Sequence, residues 1–161
     1  MNRRQLLRGL GGLAVAAAVA PSALARASEP AMPVARWIEQ HGLPLQSTEP
    51  GAPLADLAPL TQWIGSASVV GLGESVHGAA EELTLKHRVL RLLVERMGFR
   101  SVAWEEDWTT GLEINEYIQS GEGDPDTLVS QMTPQWQSGE VSDVLRWLRD
   151  FNADRADRCS S

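Results

Sequence analysis

Glu74, His77 and Glu105 are the residues of this 161-residue chain whose types and spacing suit acid–base chemistry. A histidine with an ordinary pKa of about 6.5 takes a proton from water near neutral pH. A carboxylate bonded to its other ring nitrogen fixes the tautomer and steadies the imidazolium. Water activated in this way attacks an ester directly, with no covalent intermediate. Gly73 and Gly78 flank the turn that carries Glu74 and His77, and they let backbone come close to a substrate. The N–H groups that open the following helix are placed to stabilise an oxyanion. Each residue also has a plainer role: Glu74 as a cap of the next helix, His77 as a turn histidine, Glu105 and Glu106 as a solvated segment end.

Three other chemistries fit less well. Gly73-Glu74-Ser75-Val76-His77 approximates a nucleophile elbow, but His stands at the last position, where that turn requires Gly, which disfavours Ser75 as a nucleophile. Glu74-Ser75-Val76-His77 has the Glu-x-x-His spacing of carboxylate metal sites, yet those lie within helices and need a second copy, which the chain lacks. No metal and no other cofactor is implied. The third alternative is a non-catalytic or inactive small-molecule-binding piece.

The elements that position these residues read as strand, helix, strand. Val69-Val70-Gly71-Leu72 is a short β-branched and apolar run ending in a tight turn at Gly73. Between Gly78 and Met97, Leu83, Leu90, Val94 and Met97 recur at helical spacing, and Gly98 supplies the stop. Arg100 to Trp104 then reads as a second strand. A right-handed crossover would make the two strands parallel and bring Glu74, His77 and Glu105 out at one carboxyl edge, where open α/β sheets bind ligands. Further helices are predicted over Val34 to His41, Ala55 to Ile64, Thr109 to Gln119, Asp124 to Met132 (with Asp124 as N-cap and Pro125 in the first turn) and Ser138 to Asn152. The fold class is therefore α/β, helix-rich, with a partial parallel sheet and flanking helices.

Other side chains are weighed against packing. His87 shares a helical stripe with Leu83, Leu90 and Val94, which favours a hydrogen-bonded histidine packed in the interior. Lys86 lies on a neighbouring stripe and has the plain reading of a surface cation. Of the tryptophans, Trp108 and Trp136 are the better candidates for a substrate wall, whereas Trp147 sits with Val144, Leu148 and Phe151 and reads as core.

Several of these segments together resemble the erythromycin esterase family. Gly71-Leu72-Gly73-Glu74-Ser75-Val76-His77-Gly78, then Leu85-Lys86-His87-Arg88 and Gly98-Phe99-Arg100-Ser101-Val102-Ala103-Trp104-Glu105, look like the N-terminal part of that family. Tyr117 to Pro125 and Leu145 to Arg149 extend the likeness, which covers roughly Ala55 to Asn152. The resemblance implies a metal-independent hydrolase that opens the lactone ring of macrolides or cleaves another ester by His-activated water. His77 takes the general-base position, Glu74 the neighbouring carboxylate and Glu105 the second acid. Lys86 stands where the family often has a basic residue, and His87 follows it in the matching pair; with Trp108 these two are the expected substrate-binding residues. Family members are far longer, so the chain is expected to be a truncated member carrying only the N-terminal portion of an erythromycin-esterase-like fold, its sheet left with an unpaired edge.

The ends of the chain carry other information. Residues 1–27 have a basic start at Arg3, Arg4 and Arg8, a Gly/Ala-rich apolar run and small residues suited to cleavage, which together describe a signal peptide. Asn2 to Arg8 resembles the twin-arginine export motif, and this predicts a periplasmic or secreted protein without a stable membrane anchor. Residues 28–54 read as a linker with a short helix, 55–152 as the partial domain and 153–161 as a polar tail holding Cys159, which as the single cysteine excludes an intramolecular disulfide. Loss of Arg3, Arg4, Arg8 and Arg26 would leave 10 basic side chains against 21 acidic ones, a net charge of −11. Such a surface repels phosphate backbones and disfavours nucleic acid, so the expected partner is a neutral or cationic small molecule, an ester or macrolide.

Overall fold

Apolar residues recurring at helical spacing make the described residues helical wherever they are regular. The computed structural model describes residues 33–159, so the predicted signal peptide lies outside the described residues. The first of two units, ending at Leu43, contains α1 (Val34–His41). On α1 the rings of Trp37 and His41 stack at 4.9 Å, and His41 Nδ1 donates to the Trp37 carbonyl at 2.9 Å.

The second unit, from Pro44 onward, holds a short 3-10 turn (Ala55–Leu57) leading into α2 (Ala58–Ile64), then α3 (Ala80–Glu95), α4 (Trp108–Ser120), α5 (Pro125–Gln131), a 3-10 turn (Pro134–Trp136) and α6 (Gly139–Cys159). Helix α6 is the hub, packing against α3, α4 and α5. Val141, Val144 and Leu145 recur at i, i+3 and i+4 on its inner face and are all buried. Val141 and Leu145 join Leu83, Tyr117, Val129, Met132 and Trp136 in one core, while Val144 joins Leu90 and Val94 in a second; Trp104 touches both. Burying each such aliphatic side chain stabilises the fold by about 1.5–3 kcal/mol. The helix runs through Cys159, beyond the end at Asn152 expected from the sequence.

The predicted helix boundaries have identifiable stops and starts. Asp107 caps α4 by accepting the Thr109 N–H at 2.8 Å, and Asp124 caps α5 by accepting the Thr127 N–H at 2.9 Å, with Pro125 in its first turn. Gly121 ends α4 at φ +78°, where its missing Cβ also leaves room for the Arg149 guanidinium.

The expected sheet is absent. Among the described residues there is no strand, and no backbone hydrogen bond joins residues 68–73 to residues 100–104. The βαβ crossover, the parallel sheet and its carboxyl edge are therefore not formed, and the α/β class is corrected to a helical one. The physical reason lies in what strand propensity measures. Val69 and Val102 fit a pleated, half-buried surface, but only when neighbouring strands provide one. Here Val69 is 83% exposed and Val102 46% exposed. The segments remain irregular chain laid beside the helices.

Buried polar contacts fix the 44–57 segment to α3. Arg88, fully buried, grips Asp56 with both ends of its guanidinium, at 2.6 Å and 3.1 Å, and also donates to the carbonyls of Ser47 and Pro53. The Arg88 hydrogen bonds, helped by the Gln46 N–H, hold the Asp56 carboxyl down at about 2. Arg91, one turn on, reaches the carbonyls of Pro50 and Ala52.

Candidate functional site

A cavity of about 370 Å³ lies over α3 and α6, and Glu74, His77, Lys86, His87, Glu105 and Trp136 all line it. The residues expected at a sheet edge are thus brought together by a different device: each irregular segment is tied to a helix by side chains.

The first segment is tied to α3. Ser75 donates both its N–H, at 2.9 Å, and its hydroxyl to the Glu82 carboxylate, whose pKa these bonds lower. Lys86 Nζ donates to Glu74 Oε2 at 2.5 Å. Because Lys86 lies one turn beyond Glu82, the two contacts hold the 74–75 backbone along one face of the helix. Gly78, at φ +75°, then turns the chain into α3. Ser75 is thereby committed to Glu82 and does not line the cavity.

The second segment is tied to the 3-10 turn ahead of α6. Trp136 Nε1 donates to the Glu105 carbonyl at 2.9 Å. Glu106 turns the other way and accepts the Thr133 N–H at 2.7 Å and hydroxyl at 2.9 Å. Of two adjacent acids, one is thus spent on structure, while Glu105 lines the cavity, is exposed, and its carboxylate has no hydrogen bond or ion pair among the described residues.

The centre of the site is a His77–Glu74–Lys86 chain of polar contacts. His77 Nδ1 and Glu74 Oε1 are hydrogen-bonded, and the other Glu74 oxygen is held by Lys86. The Lys86 hydrogen bond above all, with a smaller one from His77, keeps the Glu74 carboxyl below its ordinary range against the opposing effect of burial. Glu74 is therefore an anion when it meets the imidazole. With Nδ1 bound to a carboxylate, His77 presents Nε2 outward, and its side chain is 63% exposed at the mouth of the cavity. Trp136 closes one side: its ring meets His77 edge-on at 6.1 Å and Trp104 at 5.6 Å, and Lys86 Nζ sits 5.9 Å from its centroid.

Other expectations are placed differently. Trp108 is 78% exposed and does not line the cavity, whereas Trp136, the other wall candidate, does. Lys86 is a part-buried partner of Glu74 and not a free surface cation. His87 is packed inside, but neither ring nitrogen has a hydrogen-bond partner among the described residues. The first turn of α3 carries Glu81 and Glu82, so the environment for an oxyanion there is acidic. Glu140 also lines the cavity and was passed over in the sequence, where it reads as an ordinary first-turn acid of α6. Its position one residue before the buried Val141 was the available signal.

The family model for erythromycin esterase matches residues 94–159, a stretch that includes Glu105, Trp136 and Glu140 and begins after Glu74 and His77. Erythromycin esterase type II of Escherichia coli is 31% identical over 116 residues, 72% of this chain and 27% of that protein. This chain is a relative of the erythromycin esterases. A Bacillus subtilis (strain 168) protein, YbfO, whose name assigns it to the hydrolases, is 28% identical over 80% of this chain and 28% of its own length. The chain thus spans under a third of the length of these curated relatives. A Bacillus cereus protein of known crystal structure shares 44% identity at a TM-score of 0.70, over 74% of this chain and 29% of its own. A second crystal structure, described as a succinoglycan biosynthesis protein, shares 41% identity at a TM-score of 0.71, over 76% of this chain and 31% of its own.

Proposed function

We propose that this chain carries the proton-transfer part of a carboxylic-ester hydrolase, acting on macrolide lactones or similar esters. The observation that carries the reading is the pairing of His77 Nδ1 with a carboxylate that Lys86 keeps ionised. In this reading Nε2 of His77 takes a proton from water, the water oxygen attacks the ester carbonyl, and Glu74 stabilises the imidazolium by charge and geometry. The proton then returns from Nε2 to the departing alkoxide as the acyl–oxygen bond breaks. Glu105 supports the site from the opposite segment, Lys86 and Trp136 flank the substrate, and no cofactor is required. The relationship to erythromycin esterase type II supports this reaction class.

The exposure of His77 favours a second reading in which the chain binds such a ligand without turning it over, since an imidazole open to water gains less from a preorganised site. Mass spectrometry after incubation with a macrolide and with p-nitrophenyl esters separates the two. Hydrolysis by the wild-type chain, abolished in His77→Ala with binding retained, is the expected result. Saturable binding with no product selects the second reading, and unchanged turnover in His77→Ala overturns the first.

We further infer export through the twin-arginine-like segment to the periplasm or beyond, with no stable membrane anchor. No helix among the described residues is long and apolar enough to cross a membrane. A reporter fused after residue 32 should be exported, and Arg3→Lys with Arg4→Lys should retain it in the cytoplasm. Export unaffected by the double substitution would refute the pathway.

A further inference from the structure

Below the His77–Glu74 pair the cavity changes character. Leu83, Leu90, Val141 and Val144 make its lining apolar, and His87 stands among them. His87 is only 4% exposed, and neither Nδ1 nor Nε2 has a hydrogen-bond partner among the described residues. Buried polar atoms in folded proteins are nearly always satisfied, and one that is not calls for a reason. Packing alone supplies none here. The neighbours of His87 on the same stripe, Leu83, Leu90 and Val94, are aliphatic and offer it no hydrogen-bonding group. The nearest ring, Trp147, lies at 5.4 Å and 57°, a contact that needs no nitrogen. Burial, with a smaller effect of Arg91, lowers the His87 pKa to about 4, so the ring is uncharged near neutral pH and offers one N–H donor and one acceptor.

We propose that His87 is the recognition group of the cavity floor, hydrogen-bonding a hydroxyl or carbonyl oxygen of an otherwise apolar ligand. The ring lines the cavity while its nitrogens are covered, so engaging a ligand requires a small turn of the imidazole against Trp147. Such a site accepts an oxygenated hydrocarbon and discriminates against the same skeleton without oxygen, because only the former satisfies the buried ring. His87 is here a specificity residue, distinct in role from the proton transfer proposed for His77. The inference rests on the reading of this cavity as the ligand site but not on ester hydrolysis, so the probes carry no ester.

The test compares benzyl alcohol with toluene on the full chain, following the His87 ring resonances by NMR and the tryptophan fluorescence. Benzyl alcohol should bind about fivefold or more tighter than toluene, the worth of one net hydrogen bond, and should shift the His87 nitrogens. His87→Leu should bind the two probes equally, and His87→Gln should recover part of the preference. Equal binding by the wild type, a preference that survives in His87→Leu, or binding of neither probe overturns the proposal, while leaving the His77 assignment to its own test. Should His87→Leu fail to fold, the wild-type His87 resonances and the His87→Gln preference decide.

Discussion

The buried imidazole of His87 makes stability depend on pH in a window where few other groups act. Its pKa is lowered from the ordinary 6.5 to about 4, first by burial and then by Arg91, against weaker opposition from Asp143 and Glu95. The unfolded chain therefore binds a proton on His87 before the folded chain does. The stability held by the neutral ring is complete above pH 6.5 and is lost as pH falls from there toward 4. That gap sets a ceiling of about 3 kcal/mol. Relaxation of the folded chain around the protonated ring reduces it to about 2 kcal/mol, or about 8 °C in the thermal midpoint of a domain this size. Carboxyls held below their ordinary range, namely Asp56, Glu74, Glu82, Glu106, Asp107 and Asp124, contribute stability above their unfolded pKa values and lose it as pH falls through the folded ones. They therefore act mainly below about pH 4.5. His87→Leu removes the acid-sensitive term and two unsatisfied nitrogens, so it should be more stable than wild type at pH 7 by about 1 kcal/mol. The advantage should widen at pH 4.5. Thermal unfolding followed by circular dichroism at pH 7, 5.5 and 4.5 measures both. Parallel pH dependences for wild type and His87→Leu would refute the reasoning.

Further outcomes are expected elsewhere. Leu145→Ala, at a position 1% exposed between α6 and its neighbours, should cost about 3 kcal/mol, seen as a drop in the urea midpoint with little change in slope. Arg88→Met leaves the Asp56 carboxylate buried and should destabilise the chain more than any surface substitution, whereas Arg88→Met with Asp56→Leu should recover much of the loss; equal stability of the two variants would reject the clamp. Lys86→Gln removes the main hydrogen bond holding Glu74 down, so carboxyl NMR should show the Glu74 titration moving up toward the ordinary carboxylate range. Where turnover is measurable, its acid limb should move the same way.

The helices were legible because their signals are local. The stripe of Leu83, Leu90 and Val94, the stop at Gly98 and the Asp124-Pro125 start depend on residues within a turn or two of one another. The strands were not, because pairing depends on a partner that sequence propensity does not supply; Val69 and Val102 look like strand residues and end exposed. Glu74, His77 and Glu105 do line one cavity, yet for a reason absent from the sequence argument. The tethers that place them, Ser75 to Glu82, Lys86 to Glu74 and Trp136 to the Glu105 carbonyl, link positions 7, 12 and 31 residues apart. Trp108 was misplaced because an aromatic residue beside an acidic segment gives no sign of which side of the helix start it will take.

This means of assembly determines what the site can tolerate. A sheet edge fixes its loops through backbone bonds that most substitutions leave intact, whereas here the register of residues 74–77 rests on side chains of α3. Glu82 acts on Ser75 and Lys86 on Glu74, so a change at Glu82 alters the site without touching the reacting groups. Glu82→Gln keeps the length and one acceptor oxygen, while Glu82→Ala removes both contacts with Ser75. The expected order of damage to the His77–Glu74 pairing is therefore Ala beyond Gln, with the helix itself intact, since Glu82 is half-exposed in its first turn. The His77 ring nitrogens in NMR report the pairing directly. If Glu82→Ala leaves those resonances unchanged, the loop is held by its own backbone turn at Gly78, and the side-chain tether to α3 is incidental.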